Sequence, residues 1–168
     1  MSAPTFSVSV TGPEQPAAEE FAHRLAERLG DRHVAVEVLD ARTPGIDALA
    51  GVGLERRAAF VATLLARHGV VAIVALPMPT RAAREHLRTE VGRMIEVYVR
   101  PAREAAGYEA PERPEVEVGL PEPSPGSGVA QVIRTLEVLD FLPRGTHRAY
   151  TEEEERQVIR RLKAFGYL

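Results

Sequence analysis

The chain has 168 residues, 45% hydrophobic and 27% charged, with a net charge of −3 and no cysteine. That composition suits one soluble domain large enough to bury a core, and it excludes disulfides, thiol catalysis and cysteine-ligated metal. The slight negative charge gives no reason to expect nucleic-acid or membrane-surface binding, and no stretch is long enough to span a bilayer. The first residues lack the basic-then-apolar pattern of a secretory signal, so a cytoplasmic location is the expectation. Of 21 basic residues a single one, Lys163, is lysine. Any mechanism that needs an internal lysine is thereby closed.

Thr5 to Val10 reads as a first strand, with Phe6, Val8 and Val10 alternating. Thr11-Gly-Pro13 interrupts it. Pro16 to Leu29 has helical periodicity through Phe21, Leu25 and Leu29, with Glu19 and Glu20 in the first turn and Gly30 after the end. His33 to Leu39 is a second strand, followed by a polar loop from Asp40 to Gly53. Leu54 to Arg67 is a helix expected to turn Phe60, Val61 and Leu64 inward.

Val70 to Leu76 is the longest buried-strand pattern in the chain. It stops at Pro77-Met-Pro79, and a helix from about Thr80 to Val91 carries Arg81, Arg84 and Arg88 on one side. A buried strand feeding a short loop and a helix is the building unit of parallel α/β sheets, and ligands collect at the carboxyl ends of such strands. Met94 to Val99 is a fourth strand and Val116 to Val118 a short fifth. Gly119 to Gly128 is a loop by composition. Val129 to Leu139 is helical, and Pro143 to Tyr150 is a connector. Thr151 to Phe165 is a last helix with a Thr151/Glu154 capping box, Val158, Ile159, Leu162 and Phe165 on one face, and Gly166 as terminator. Strands alternating with helices predict an α/β fold with a mostly parallel sheet covered on both faces, over residues 1–142, with residues 143–168 as connector and amphipathic C-terminal helix.

Together these residues resemble adenylylsulfate (APS) kinases, P-loop kinases of sulfate activation. The likeness is densest from Arg56 to Arg88: a paired-arginine helix, an apolar strand, a proline-containing loop and Arg-x-x-Arg. It resumes in Gly92 to Val99 and in Gly107 to Val118, where Tyr-Glu-x-Pro and a following Pro-Glu are characteristic. The resemblance implies a three-layer α/β/α P-loop-kinase-like domain.

The departures fall where the chemistry belongs. A P-loop wraps phosphate with backbone N–H groups, reaches it with a lysine and holds Mg²⁺ with a hydroxyl. In register with the family, Gly12 survives, while Ala17, Ala18 and Glu19 take the places of the second glycine, the lysine and the hydroxyl residue. Pro13 and Pro16 remove two amide donors, and Glu14, Glu19 and Glu20 bring negative charge to where a triphosphate would sit. The family's Asp-Gly-Asp is reduced to Asp40-Ala-Arg42. Its long basic lid shrinks to Arg100 to Gly107. Losing one charge-stabilising group typically costs ~10²–10³ in rate.

On the acceptor side, the resemblance places Arg57, the loop Leu76, Pro77, Met78 and Pro79, and Arg81 at or beside the sulfate-ester pocket, with Arg84 following on the same helix. The three helix arginines either hold an anion by charge-assisted bonds or form a solvated face pairing with Glu85 and Glu90. Asp40 is either a residual general base or a loop residue paired with Arg42. The histidines at 23, 33, 68, 86 and 147 show no metal-ligand spacing, and Ser7, Ser9, Ser124 and Ser127 lack a nucleophile-elbow pattern. The apolar stripe of the last helix covers this domain or a partner.

The leading expectation is an APS-kinase-like protein without kinase activity, acting as a binding or regulatory protein in sulfur metabolism, with no cofactor. The alternative is an active kinase that phosphorylates APS, or a related small molecule, using ATP and Mg²⁺ at an atypical phosphate site. The expected partners are a small APS-like anion or a protein engaged through the C-terminal helix, with self-association open.

Overall fold

The computed structural model describes residues 5–46, 53–144 and 152–168. Five strands, β1 (Ser7–Thr11), β2 (Val36–Leu39), β3 (Val71–Val74), β4 (Met94–Arg100) and β5 (Val116–Gly119), form one parallel sheet in the order β2-β3-β1-β4-β5. Five helices accompany them: α1 (Gln15–Gly30), α2 (Leu54–Arg67), α3 (Arg81–Val91), α4 (Ser127–Val138) and α5 (Glu152–Ala164). Ser7 pairs with both Ala72 and Met94, so β1 lies at the centre of the sheet.

Alternation along the strands makes the layers. Phe6, Val8, Val10, Val71, Ile73, Ile95 and Val97 face α1 and α4, where Phe21, Leu25, Leu29, Val132 and Leu136 complete one core. Ala72, Val74 and Met94 face the other way, against α2 and α3, with Ala58, Ala59, Ala62 and Leu87. The result is the three-layer α/β/α sandwich expected from the pattern. No helix among the described residues is long and apolar enough to cross a membrane.

Several local expectations are corrected. Helix α1 begins at Gln15, so Glu19 and Glu20 fall in its second turn and the first turn holds no acid. Gly30 is the last helical residue rather than the terminator. The chain leaves α1 through a turn in which His33 N–H bonds Gly30 O and Val34 N–H bonds Leu29 O, with His33 at φ 61°. That geometry cannot extend, and β2 therefore starts three residues later than its apolar pattern suggested.

On α2 the buried residues are the alanines at 58, 59 and 62. Phe60 is 65% and Leu64 45% exposed, and Val61 is only partly buried. Small side chains let α2 lie close to α3 and β3, and the bulky ones are turned outward.

Thr80 caps α3 by accepting from Ala83 N–H at 3.3 Å. The apolar stripe of α5 folds onto its own domain, with Val158 and Leu162 buried, Arg134 paired to Glu154 at 3.1 Å and Arg161 to Glu117 at 3.5 Å. Gly166, at φ 80°, ends α5 in a Schellman motif: its N–H bonds Lys163 O and Tyr167 N–H bonds Leu162 O. Thr151, the other half of the expected capping box, and most of the 143–150 connector lie outside the described residues.

Candidate functional site

All five strands point their carboxyl ends to one edge of the sheet, and the residues singled out from the sequence gather there. The β1–α1 junction comes first. Gly12 is required by close approach, because a Cβ there would stand 2.5 Å from the carbonyl oxygen of Val99. Pro13 offers no donor, and only three residues separate the end of β1 from the start of α1 at Gln15. Glu14 O accepts from the N–H groups of both Ala17 and Ala18 at 3.1 Å, and Pro16 has none to give. Gln15 ties this turn down: its Nε2 donates to Ala75 O at the end of β3 (2.6 Å) and to Glu19 Oε1 (3.0 Å). Ala18 is buried in the core. A phosphate loop presents several convergent free N–H groups to its ligand. Here the N–H groups of Ala17 and Ala18 bond Glu14 O, Pro13 and Pro16 have none, and carboxylates flank the turn, a donor set that does not match such a cradle.

Asp40 follows β2. Its Oδ2 receives Arg42 through Nε (3.2 Å) and Nη2 (2.8 Å) and lies 2.9 Å from His23 Nε2, while its Oδ1 takes the Arg42 N–H at 2.8 Å. Burial acts to raise this carboxyl, but its contacts with His23 and Arg42 outweigh it and hold it at about 2. A carboxylate so strongly stabilised as an anion is a weak general base at neutral pH. Pairing with Arg42, one of the two readings from sequence, is realised, and His23 is added to it.

The loop after β3 buries Leu76 and Met78 and exposes Pro77 and Pro79. The arginines beyond it do not form the solvated face that local spacing allowed. Arg84 is 4% exposed. Its Nε bonds Glu96 Oε1 at 3.0 Å, its Nη1 bonds Met78 O at 2.7 Å, its Nη2 bonds Glu109 O, and the guanidinium lies 5.0 Å from the Tyr108 ring centroid. Arg88 makes a two-pronged pair with Glu115 at 2.8 and 3.0 Å. Burial pushes Glu96 up, against the neighbouring guanidinium charges of Arg84 and Arg88. Glu115 closes the set by accepting from Glu96 N–H at 2.7 Å.

Arg81 behaves differently. It is exposed, and pairs with exposed Glu112 at 2.6 Å and with Ala110 O at 2.9 Å. Arg57, on α2, donates through Nη1 to Ile46 O, and its buried Nε finds no partner among the described residues.

Tyr108, which the sequence marked only as part of Tyr-Glu-x-Pro, bonds Thr11 Oγ1 at 2.6 Å and stacks on Tyr98 with centroids 6.1 Å apart. A cleft of about 580 Å³ opens over these two rings beside Pro13, bounded by Arg100, Glu104 and Pro111. A second, of about 440 Å³, lies along α3 among Arg81, Arg88, Glu112, Arg113 and Tyr167. The buried partner Glu96 carried one usable signal: a carboxylate in an otherwise apolar strand demands a cation. No group of three or more metal-ligating side chains occurs among the described residues.

Residues 5–107 match the adenylylsulphate kinase family. A probable adenylyl-sulfate kinase of Pyrococcus abyssi is 32% identical over 171 aligned positions, which take in 82% of this chain and 98% of that protein. The aligned stretch is longer than the residues this chain contributes, so that relative carries residues without a counterpart here. Among solved structures, the Mycobacterium tuberculosis APS kinase CysC in complex with AMPPNP and APS superposes at TM-score 0.64 with 22% identity, over 80% of this chain and 99% of that one. A hexameric APS kinase from Thiobacillus denitrificans gives 0.60 at 23% identity over 99% of this chain, which spans 30% of that longer polypeptide.

Proposed function

The chain belongs to the adenylylsulphate kinase family, and on that premise we propose that it has given up phosphoryl transfer and acts as a binding or regulatory protein for a small APS-like anion in sulfur metabolism. The observation that carries this reading is the β1–α1 junction, where Glu14 O takes the amides of Ala17 and Ala18 and no lysine stands within reach. Stabilisation of developing charge is the main work of phosphoryl transfer, and Ala18 and Glu19 stand where a P-loop carries the lysine and hydroxyl that supply it.

Arg81, on the side that the resemblance gives to the acceptor, is an exchangeable cation. Arg81 is held by an exposed ion pair with Glu112, of the kind worth ~0–1 kcal/mol, so an anionic ligand competes for it at little cost. Arg84 is not available in this way, being enclosed by Glu96 and two carbonyl groups. An active APS kinase, using ATP and Mg²⁺, is the second reading. It is favoured by the near full-length match to the Pyrococcus protein.

Thermal unfolding with ATP-Mg²⁺, with APS and with neither, run beside a direct assay of ATP-dependent APS phosphorylation, separates the two. A ligand at a hundredfold excess over its dissociation constant stabilises the native state by ~2.7 kcal/mol. The expected outcome is stabilisation by APS, none by ATP-Mg²⁺, and no turnover. ATP-dependent turnover overturns the proposal and establishes the second reading.

A further inference from the structure

The contact among His23, Asp40 and Arg42 cannot be satisfied in one protonation state. His23 Nε2 lies 2.7 Å from Arg42 Nη2 and 2.9 Å from Asp40 Oδ2. A guanidinium only donates and a carboxylate anion only accepts. If Nε2 carries no hydrogen it accepts from Arg42 and faces the carboxylate lone pair to lone pair. If it carries one it donates to Asp40 and opposes Arg42 donor to donor.

We propose that these three residues form a proton-operated latch at the carboxyl end of β2, in which protonation of His23 releases the Arg42 guanidinium into the adjoining cleft. With His23 neutral, its hydrogen sits on Nδ1, and Arg42 bridges Nε2 and Oδ2. Uptake of a proton from water forms an Nε2–H bond, directs it at Asp40 Oδ2 and sets two cations against each other at 2.7 Å. The mobile partner is Arg42, whose side chain is 71% exposed; Asp40 is 5% exposed and stays anchored through the Arg42 backbone N–H. Released, the guanidinium enters a cleft of about 390 Å³ floored by Val36, Val38, Thr43 and Pro44. The three-residue cluster changes from neutral to singly positive, and the cleft, which Glu37 also lines, from net negative to neutral.

Other charges bear on His23 from every side. Glu19, Glu20, Arg24 and Glu27 lie within one turn of it on α1, and Glu37 on β2 borders the cleft. Arg24 is paired with Glu122 and Glu19 accepts from Gln15, and none of the five supplies an acceptor that would replace Asp40 in the contact described.

The test is nitrogen NMR of the histidine rings and of the Arg42 Nε–H in the full chain between about pH 5 and pH 8, the range in which histidine ordinarily titrates. His23→Gln identifies the signal, and Arg42→Ala removes the competing donor. The expected result is a neutral His23 with its hydrogen on Nδ1, reverting to Nε2–H in Arg42→Ala, and an Arg42 resonance that moves with the same midpoint as the His23 ring. A neutral His23 already protonated on Nε2 in the unaltered chain, or an Arg42 resonance indifferent to the His23 titration, overturns the latch. Neither readout depends on kinase activity or on APS.

Discussion

Replacing Arg84 by methionine separates an arginine that holds the fold from one that holds a ligand. Methionine fills much of the same volume and leaves Glu96, 8% exposed, with Arg88, at 3.8 Å, as its remaining cation among the described residues. Removing one partner of a buried ion pair costs about 3–5 kcal/mol, because the remaining charge stays desolvated. Two carbonyl acceptors, of Met78 and Glu109, also lose their donor. At ~2.1 cal/mol/K per residue, a chain of this length has an unfolding entropy near ~0.35 kcal/mol/K, so the melting temperature should fall by about 10 °C. Burial already pushes Glu96 up, and in the variant it rises further. A carboxyl raised on folding weakens the native state at high pH and ceases to do so once protonated, so the deficit should shrink from pH 8 toward pH 5. Urea unfolding of Arg84→Met, Glu96→Leu and the double variant completes the cycle, and the double variant should be more stable than Arg84→Met. A loss below about 1 kcal/mol in Arg84→Met, with no pH dependence, would refute the reasoning and return Arg84 to the list of anion ligands.

Two further outcomes follow from single sites. Gly12→Ala sets a Cβ against the Val99 carbonyl at 2.5 Å, a contact between two backbones that cannot rotate away, and should cost about 1–3 kcal/mol in chemical unfolding; wild-type stability would show that the approach relaxes freely. Asp40, held at about 2 against an ordinary 3.8, contributes stability that is complete above pH 4 and disappears as pH falls through 2. That loss is worth about 2 kcal/mol, and Asp40→Asn should flatten the acid limb of the stability curve by the same amount.

The succession of strands and helices along the chain was legible because period-two runs such as Phe6-Val8-Val10 alternate with helical periodicity, and that alternation implied a parallel sheet. The inward face of α2 was not. Hydropathy ranks Phe60 and Leu64 above Ala58 and Ala62, whereas close approach to α3 and β3 selects for small volume, a property of the neighbours rather than of the helix. The missing lysine was visible in a count, but the closure of the β1–α1 turn depends on Gln15 reaching Ala75 O, sixty residues away in sequence. The arginines of α3 were read against Glu85 and Glu90 within reach on one helix. The partners of Arg84 and Arg88, Glu96 on β4 and Glu115 just before β5, are brought near only by the packed sheet.

The central place of β1 has a consequence for synthesis on the ribosome. This strand emerges before both of its neighbours, and Ser7 has no backbone partner until Ala72 and then Met94 have been made. At roughly 5–20 residues per second, β1 and the amphipathic α1 wait some seconds, about 3–13, with apolar faces uncovered. No hairpin can shelter them meanwhile, since every pairing in the sheet is parallel and spans an intervening helix or loop. Slow codons or a trigger-type chaperone acting between residues 11 and 71 would therefore change the yield of native protein more than the same intervention after residue 100.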